Sequence, residues 1–350
     1  MANKSRQPDI ALGGRSRGRE IPEPPTDPPR PGRMVIRVEH RPTKRGAERS
    51  GRSGVRPVAG KVTKPMTLSD VNPERTLWRA YEPIHAICYF DPLFATVMAE
   101  SGLTGWWNGY FAGRAAPLGA TPPEVVSALF YGFAPAMVAR AIPKVWTRIT
   151  PRDALDARFD AAERVLGEHA SAGSTDDLRR ATDNLEHAVD ALSHDGRALA
   201  AAWSSVARPA SMLGRLWLAT TVLREHRGDG HVAAATAAGL TGLQASMTHI
   251  AGGHVDRTLI QDNRGWTDHQ WDSARRSLED TGILSRDGTL TDRGAALREQ
   301  VEETTDHLAN SSVRFLPDSD WTVRVLRSLS HAIVDRGVIP FPNPIGVPRP

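Results

Sequence analysis

The sequence predicts a mainly α protein with one short β-hairpin near its C-terminal end. Three observations carry this reading. From Met66 onward, apolar residues recur at three- and four-residue spacings through most of the chain. No convincing run of alternating apolar and polar residues stands before residue 283. The strongest local hairpin signal is Asp287-Gly288, set between the short apolar runs Ile283-Leu284 and Leu290.

The elements follow in order. Residues 72–112 read as helical, with Trp78, Tyr81, Ile84, Cys88 and Phe94 at helical spacings. A stretch punctuated by glycine and proline, from Gly102 to Pro123, leads into a helix over 123–142 that carries Val126, Phe130, Phe133 and Met137. Residues 153–170 and 175–193 are amphipathic helices, and Leu178, Ala181, Leu185, Val189 and Leu192 form one stripe of the second. Asp195-Gly196 breaks the pattern before a shorter helix over 197–206. Pro209 opens a long helix through Leu216 and Leu223, and the run His226 to His231 reads as a break where Asp229 or Gly230 caps the next helix. Residues 231–240, 241–252 and 255–262 read as three short helices. The expected organisation is a tail over 1–65, an all-α body over 66–208, a helix-turn-helix region over 209–318, and a C-terminal helix with a Pro-rich tail over 319–350.

Composition bounds the function. The net charge of +4 hides a division: residues 1–65 hold 16 Lys+Arg against 6 Asp+Glu, while the remainder holds 28 against 34. The tail also carries 10 prolines and 8 glycines with few apolar residues, so disorder is expected there. It reads as a basic arm for a polyanion, as a solvated tail, or as an extension ahead of a start at Met66. The single cysteine, Cys88, excludes a disulfide framework and a cysteine-rich zinc site. No apolar stretch reaches 18 residues and no signal-peptide core is present, so a cytoplasmic protein without membrane contact is expected.

The C-terminal third is the most legible part. Thr267 stands at an N-cap with Gln270 three residues on, a capping box for a helix that buries Trp271, Ala274 and Leu278 and ends at Gly282. The Asp-Gly turn follows, and Thr291-Asp292 starts another helix with Leu297, Val301 and Leu308 facing inward. Helix, helix, hairpin wing and helix make a winged helix-turn-helix. The stretch LEDTGILSRDGTLTDRGAALREQVEETTD resembles the winged helices of the MarR family, in which a recognition helix ends in Gly and the wing closes on LT..G. The runs EPIHAICYFDPLF, GYFAGRAAPLG, FYGFAPAMVARAIPKVW, LREHRGDGHVAAATAAGLTGL and FPNPIG are together similar to the SalK-like actinobacterial helix-turn-helix family, over about residues 72–347. That resemblance implies a fold more firmly than an activity.

Two sets of residues carry the functional expectation. His269, Gln270, Ser273, Arg275 and Arg276 hold the exposed positions of the recognition helix, where Arg and Gln can read base edges, and Arg286 and Arg293 are placed for phosphate. Against DNA stands the balance of residues 266–300, with 5 Arg and 7 Asp+Glu, where a basic stripe is the usual footprint. In the body, His85, Tyr89, Tyr110, Arg114, His226 and His231 suggest a pocket for a small aromatic or acidic metabolite, with Arg114 facing a carboxylate or phenolate. Each of these also reads as a satisfied structural side chain. The histidine spacing matches no metal motif and no catalytic or nucleotide-binding motif stands out, so neither metal nor cofactor is expected and an enzyme is the second reading. A DNA reader of this kind is expected to pair as a homodimer.

Overall fold

The computed structural model describes residues 72–350, apart from 171, 172, 254 and 348. The disorder expected for residues 1–65 lies outside the described residues. Fourteen α-helices stand among the described residues. The first eight are α1 Pro73–Phe90, α2 Pro92–Glu100, α3 Trp106–Ala115, α4 Pro123–Phe130, α5 Pro135–Ala141, α6 Pro151–His169, α7 Thr175–Asp190 and α8 Ala198–Ser204. The others are α9 Met212–Ala237, α10 Gly242–Ala251, α11 Arg257–Arg264, α12 Asp268–Asp280, α13 Asp292–Arg314 and α14 Ser319–Asp335. Helices α1, α2, α4, α5 and α6 begin with proline, whose fixed φ and missing N–H suit the first turn. The helix expected over 72–112 is three helices. Asp91 ends α1 and starts α2, its carboxylate accepting from Leu93 N at 2.9 Å, and Gly102 and Gly105 turn the chain into α3 at φ +93° and +88°.

Two hydrophobic cores organise the helices. The larger lies in the body, among α1 to α9 and α14, around Trp203, Trp217, Phe111 and Leu326. The smaller gathers Ala234, Ala235, Leu243, Met247, Ile260, Trp271, Leu278, Ile283 and Val301 into a C-terminal module. Helix α9 serves both: its Leu216, Trp217 and Val222 belong to the first core, its Ala234 and Ala235 to the second. Its 26 residues make it about 39 Å long.

Helix α9 corrects the sequence reading, because it runs without a break through His226–His231. Gly230 makes room for an arginine instead of ending the helix. A Cβ there would lie 2.7 Å from Arg197 Nη1. That guanidinium crosses α9 to donate to the carbonyls of His226 and, at 2.7 Å, Leu308. Asp229 does cap a helix, but it is α8: its Oδ2 accepts from Leu199 N and Ala200 N, each at 3.0 Å.

The module matches its local signals. Thr241 with Gln244 and Thr267 with Gln270 form capping boxes at α10 and α12. Helix α12 ends in a Schellman arrangement: Ile283 N donates to Leu278 O at 2.8 Å, Gly282 N to Glu279 O at 2.9 Å, and Gly282 has φ +68°. The hairpin is reduced to one antiparallel bridge, Leu284 with Leu290, and no strand stands among the described residues. The physical reason is length. Ile283 follows directly on the α12 cap, Thr291 already caps α13, and Asp287 folds the residues between into a tight turn by accepting from Thr289 N at 3.0 Å. The LT..G signature has a cause here. Thr291 Oγ1 accepts from Gly294 N at 3.0 Å, and a Cβ on Gly294 would lie 2.1 Å from Ile283 O.

Candidate functional site

The six residues expected to form a pocket divide into three groups. His85 and Tyr89 belong to the buried interior, and Tyr110 packs half-buried against it. His85 is fully buried, with Nε2 2.8 Å from Tyr89 Oη, Nδ1 2.9 Å from Thr221 Oγ1, and its ring stacked on Trp217. Burial holds its pKa well below the ordinary value, aided by Arg224, so it is neutral and saturated. Tyr89 packs on Tyr110 at 5.4 Å between ring centroids, and Arg114 Nη1 reaches Tyr110 Oη at 3.3 Å. His226 points elsewhere: its Nε2 lies 3.1 Å from Ser193 O and its ring beside His194, and burial with Arg197 lowers its pKa to about 4. Only Arg114 and His231 reach a cavity together.

That cavity, about 320 Å³, lies at the junction of body and module. Its wall takes Trp78 and Glu82 from α1, Arg114 from α3, Arg224, Glu225, Arg227, Gly228, Asp229 and His231 from α9, Ile260 and Arg264 from α11, and Arg298, Glu302 and Thr305 from α13. Phe130, Tyr131 and the C-terminal segment Pro344 to Gly346 complete it. The loop after α4 joins the two regions: Trp266 Nε1 donates to Gly132 O at 2.9 Å and Ala134 N to Arg264 O at 2.9 Å. Gly242 is required there, since a Cβ would lie 1.8 Å from Tyr131 O.

The charges of the wall are ordered. Arg114 pairs with Glu225 through two hydrogen bonds of 2.8 Å, where Glu82 was considered as its partner from sequence. Arg224 Nη1 reaches the same carboxylate at 2.9 Å, and its Nε lies 3.6 Å from Glu82. Burial pushes the Glu225 carboxyl up, but Arg114 and Arg224 outweigh it and hold it below the usual carboxylate range. Burial prevails at Glu82, whose pKa is raised. His231 bonds Thr305 Oγ1 at 3.1 Å, and burial lowers its pKa against the pull of Glu302. No group of His, Cys, Asp and Glu suited to a metal stands among the described residues.

On the module, His269, Ser273 and Arg276 share one outward face of α12 at three- and four-residue spacing, and all three are exposed. Gln270 is exposed, but its Oε1 accepts from Thr267 N at 3.1 Å as half of the capping box. Arg275 is committed within the module. Its Nε bonds Glu279 at 2.7 Å and its Nη2 the carbonyl of Arg286 at 2.5 Å, tying α12 to the turn. The Arg286 and Arg293 side chains are exposed. Asp272 and Asp280 flank the same face.

Sequence reasoning missed Glu225, Arg224, Arg264 and Arg298. A usable signal was present for α9: Arg224, Arg227, Gly228 and His231 recur at three and four residues, one helical face. No local signal marks Arg264.

No helix among the described residues is long and apolar enough to cross a membrane. No curated protein and no solved structure matches the chain. A model described as a helix-turn-helix family matches residues 74–340, which hold nearly all of both cores and all of the cavity wall except Pro344 to Gly346. The chain therefore belongs to a helix-turn-helix family, which in general suggests a DNA-binding regulator.

Proposed function

We propose that the protein is a cytoplasmic, ligand-responsive transcriptional regulator of MarR-like type, within the SalK-like group that its sequence resembles. The carrying observation is the position of the cavity. Its wall is shared by body helices α1 and α3 and by α10, α11 and α13, which share one hydrophobic core with the recognition helix. A small aromatic or acidic metabolite held there favours one placement of α12 over another, and differential affinity is what a switch requires. His269, Gln270, Ser273 and Arg276 read bases, Arg286 on the 283–291 turn acts as the wing, and Arg293 meets phosphate. Arg275 positions the wing through Glu279 and the Arg286 carbonyl. Two modules in a homodimer then meet half-sites about 34 Å apart.

One observation favours an enzyme or accessory protein with a packing module: the excess of acids over arginines across residues 266–300. A salt titration separates the two. The full chain and a chain starting at Met66 are bound to DNA from upstream of the gene, with and without Arg276→Ala plus Arg286→Ala. Removing an arginine from a phosphate lowers the log–log salt slope by about 1, and abolishing a bidentate hydrogen bond to a base costs about 1–3 kcal/mol. Absence of binding by the Met66 chain at low salt moves the assignment to the second reading.

A further inference from the structure

Arg264 stands apart among the cations of the cavity. Arg114 and Arg224 have Glu225, Arg227 has Asp306 at 2.6 Å, and Arg298 has Glu302 at 2.5 Å. Arg264 has no carboxylate partner among the described residues. Its guanidinium lies 4.2 Å over the Phe133 ring and donates to Pro344 O at 3.2 Å. Burial lowers its pKa, the neighbouring Tyr110 phenol offsets part of this, and Arg114 and Arg224 lower it further. An uncompensated guanidinium next to two others makes this end of the cavity a site for negative charge.

A second deficit lies on the same wall. Glu82 Oε2 and Arg227 Nη1 have no hydrogen-bond partner among the described residues, although their residues are only 3% and 8% exposed. Such groups cost free energy unless something satisfies them. Both adjoin Trp78: the Arg227 guanidinium is 5.3 Å from its ring, and Glu82 follows it by one turn on α1, on the same cavity wall. One acceptor and one donor on the same cavity wall complement a secondary amide, which presents one N–H and one C=O.

We propose that the cavity takes a small amide-bearing carboxylic acid, such as an N-acylated amino acid, with its carboxylate on Arg264, its amide between Glu82 and Arg227, and its apolar part against Trp78, Phe130 and Tyr131. The assignment rests on the reading of this cavity as the ligand site. Its volume of about 320 Å³ is at the small end of the roughly 300–1,000 Å³ usual for such sites. A single unpaired planar guanidinium suits a planar carboxylate, whereas a phosphate dianion brings excess charge beside Glu82, Glu225 and Glu302. The acid also bridges regions. Arg264 closes α11, and only Gly265 and Trp266 separate it from the N-cap of α12, while Glu82 and Arg227 stand on α1 and α9.

The test uses the full chain and three probes: N-acetyl-phenylalanine, its neutral C-terminal amide, and 3-phenylpropanoate, which keeps the acid and lacks the amide group. Thermal shift and calorimetric titration should show saturable binding in the order N-acetyl-phenylalanine, phenylpropanoate, neutral amide. Arg264→Gln should weaken N-acetyl-phenylalanine at least about tenfold and leave the neutral amide unchanged. Its melting temperature without ligand should stay close to that of the parent, because Arg264 has no carboxylate to abandon. Should Arg264→Gln misfold, Glu82→Gln provides the second reading, narrowing the gap between N-acetyl-phenylalanine and phenylpropanoate. Equal binding of acid and neutral amide, parental affinity in Arg264→Gln, or no stabilisation by any probe overturns the assignment. DNA binding without probe is scored separately. A chain that binds DNA and not the acid loses this inference alone, and one that binds the acid and never DNA loses the regulator reading alone.

Discussion

The body and the C-terminal module solve the same folding problem with different interiors. The body buries Glu82, His85, Arg114, Arg158, Glu225, His226, Arg227 and Asp229 within its helices. Between residues 240 and 300, Arg264 and Arg298 are half-buried on the cavity wall, no charged side chain among the described residues is fully buried, and the core is Leu243, Met247, Ile260, Trp271 and Leu278. A buried charge is tolerated only with partners in defined places, so the body's network holds one arrangement and gives the cavity its shape. The module's core needs only apolar packing and caps, which leaves the charges of α12 and the following turn on the surface for another molecule. The contrast separates a region built to recognise something inside it from one built to present a face.

The largest expected effect breaks the body's network. Arg114→Ala leaves Glu225 buried with one of its two cations gone, and removing one partner of a buried pair costs about 3–5 kcal/mol. Urea unfolding measures it, and a loss below about 1 kcal/mol means the interior is more hydrated than its burial implies.

The next effect is acid sensitivity confined to the body. His226 titrates near its ordinary 6.5 when unfolded and at about 4 when folded, so the unfolded chain binds the proton more readily. Stability from this group is complete above pH 6.5 and is lost as the pH falls toward 4. At roughly 1.4 kcal/mol per unit that is on the order of 3 kcal/mol. His85 and His231 shift in the same direction. The melting temperature should therefore drop between pH 7 and 5, less so in His226→Asn, and a flat profile in the parent breaks the comparison.

The smallest effect sharpens the module side. Gly282 has φ +68°, and a Cβ there would meet nothing within 4 Å, so Gly282→Val brings only backbone strain, about 1 kcal/mol or more. Hydrogen exchange should loosen at the end of α12 and leave α1 and α14 unaffected. Uniform loosening would mean the two cores melt as one.

The legible parts of this protein were the locally specified ones. The start of α12 at Thr267 and its end before Gly282 stand as read, because a capping box and a left-handed C-cap act within five residues of chain. The stripe Leu178, Ala181, Leu185 and Val189 faces inward for the same reason. The reading of α9 failed where Asp229 and Gly230 stood for a helix break, since Gly230 accommodates Arg197 from a distant part of the chain and Asp229 caps α8. Of the six expected body residues, only Arg114 and His231 reach the cavity, because helical spacing assigns a face and not what lies opposite it.

The two ends of α12, the tight turn at Asp287-Gly288 and the division of charge between residues 1–65 and the mildly acidic remainder were determined by the sequence alone, because each depends on neighbouring residues or on composition. Which charges neutralise one another was decided only by the tertiary structure. Arg114 and Glu225 are 111 residues apart, Arg227 and Asp306 are 79 apart, and nothing local marks them as partners. The isolation of Arg264 is decided in the same way. That no carboxylate among the described residues pairs with it leaves no pattern in the chain and becomes visible only once those carboxylates have been placed.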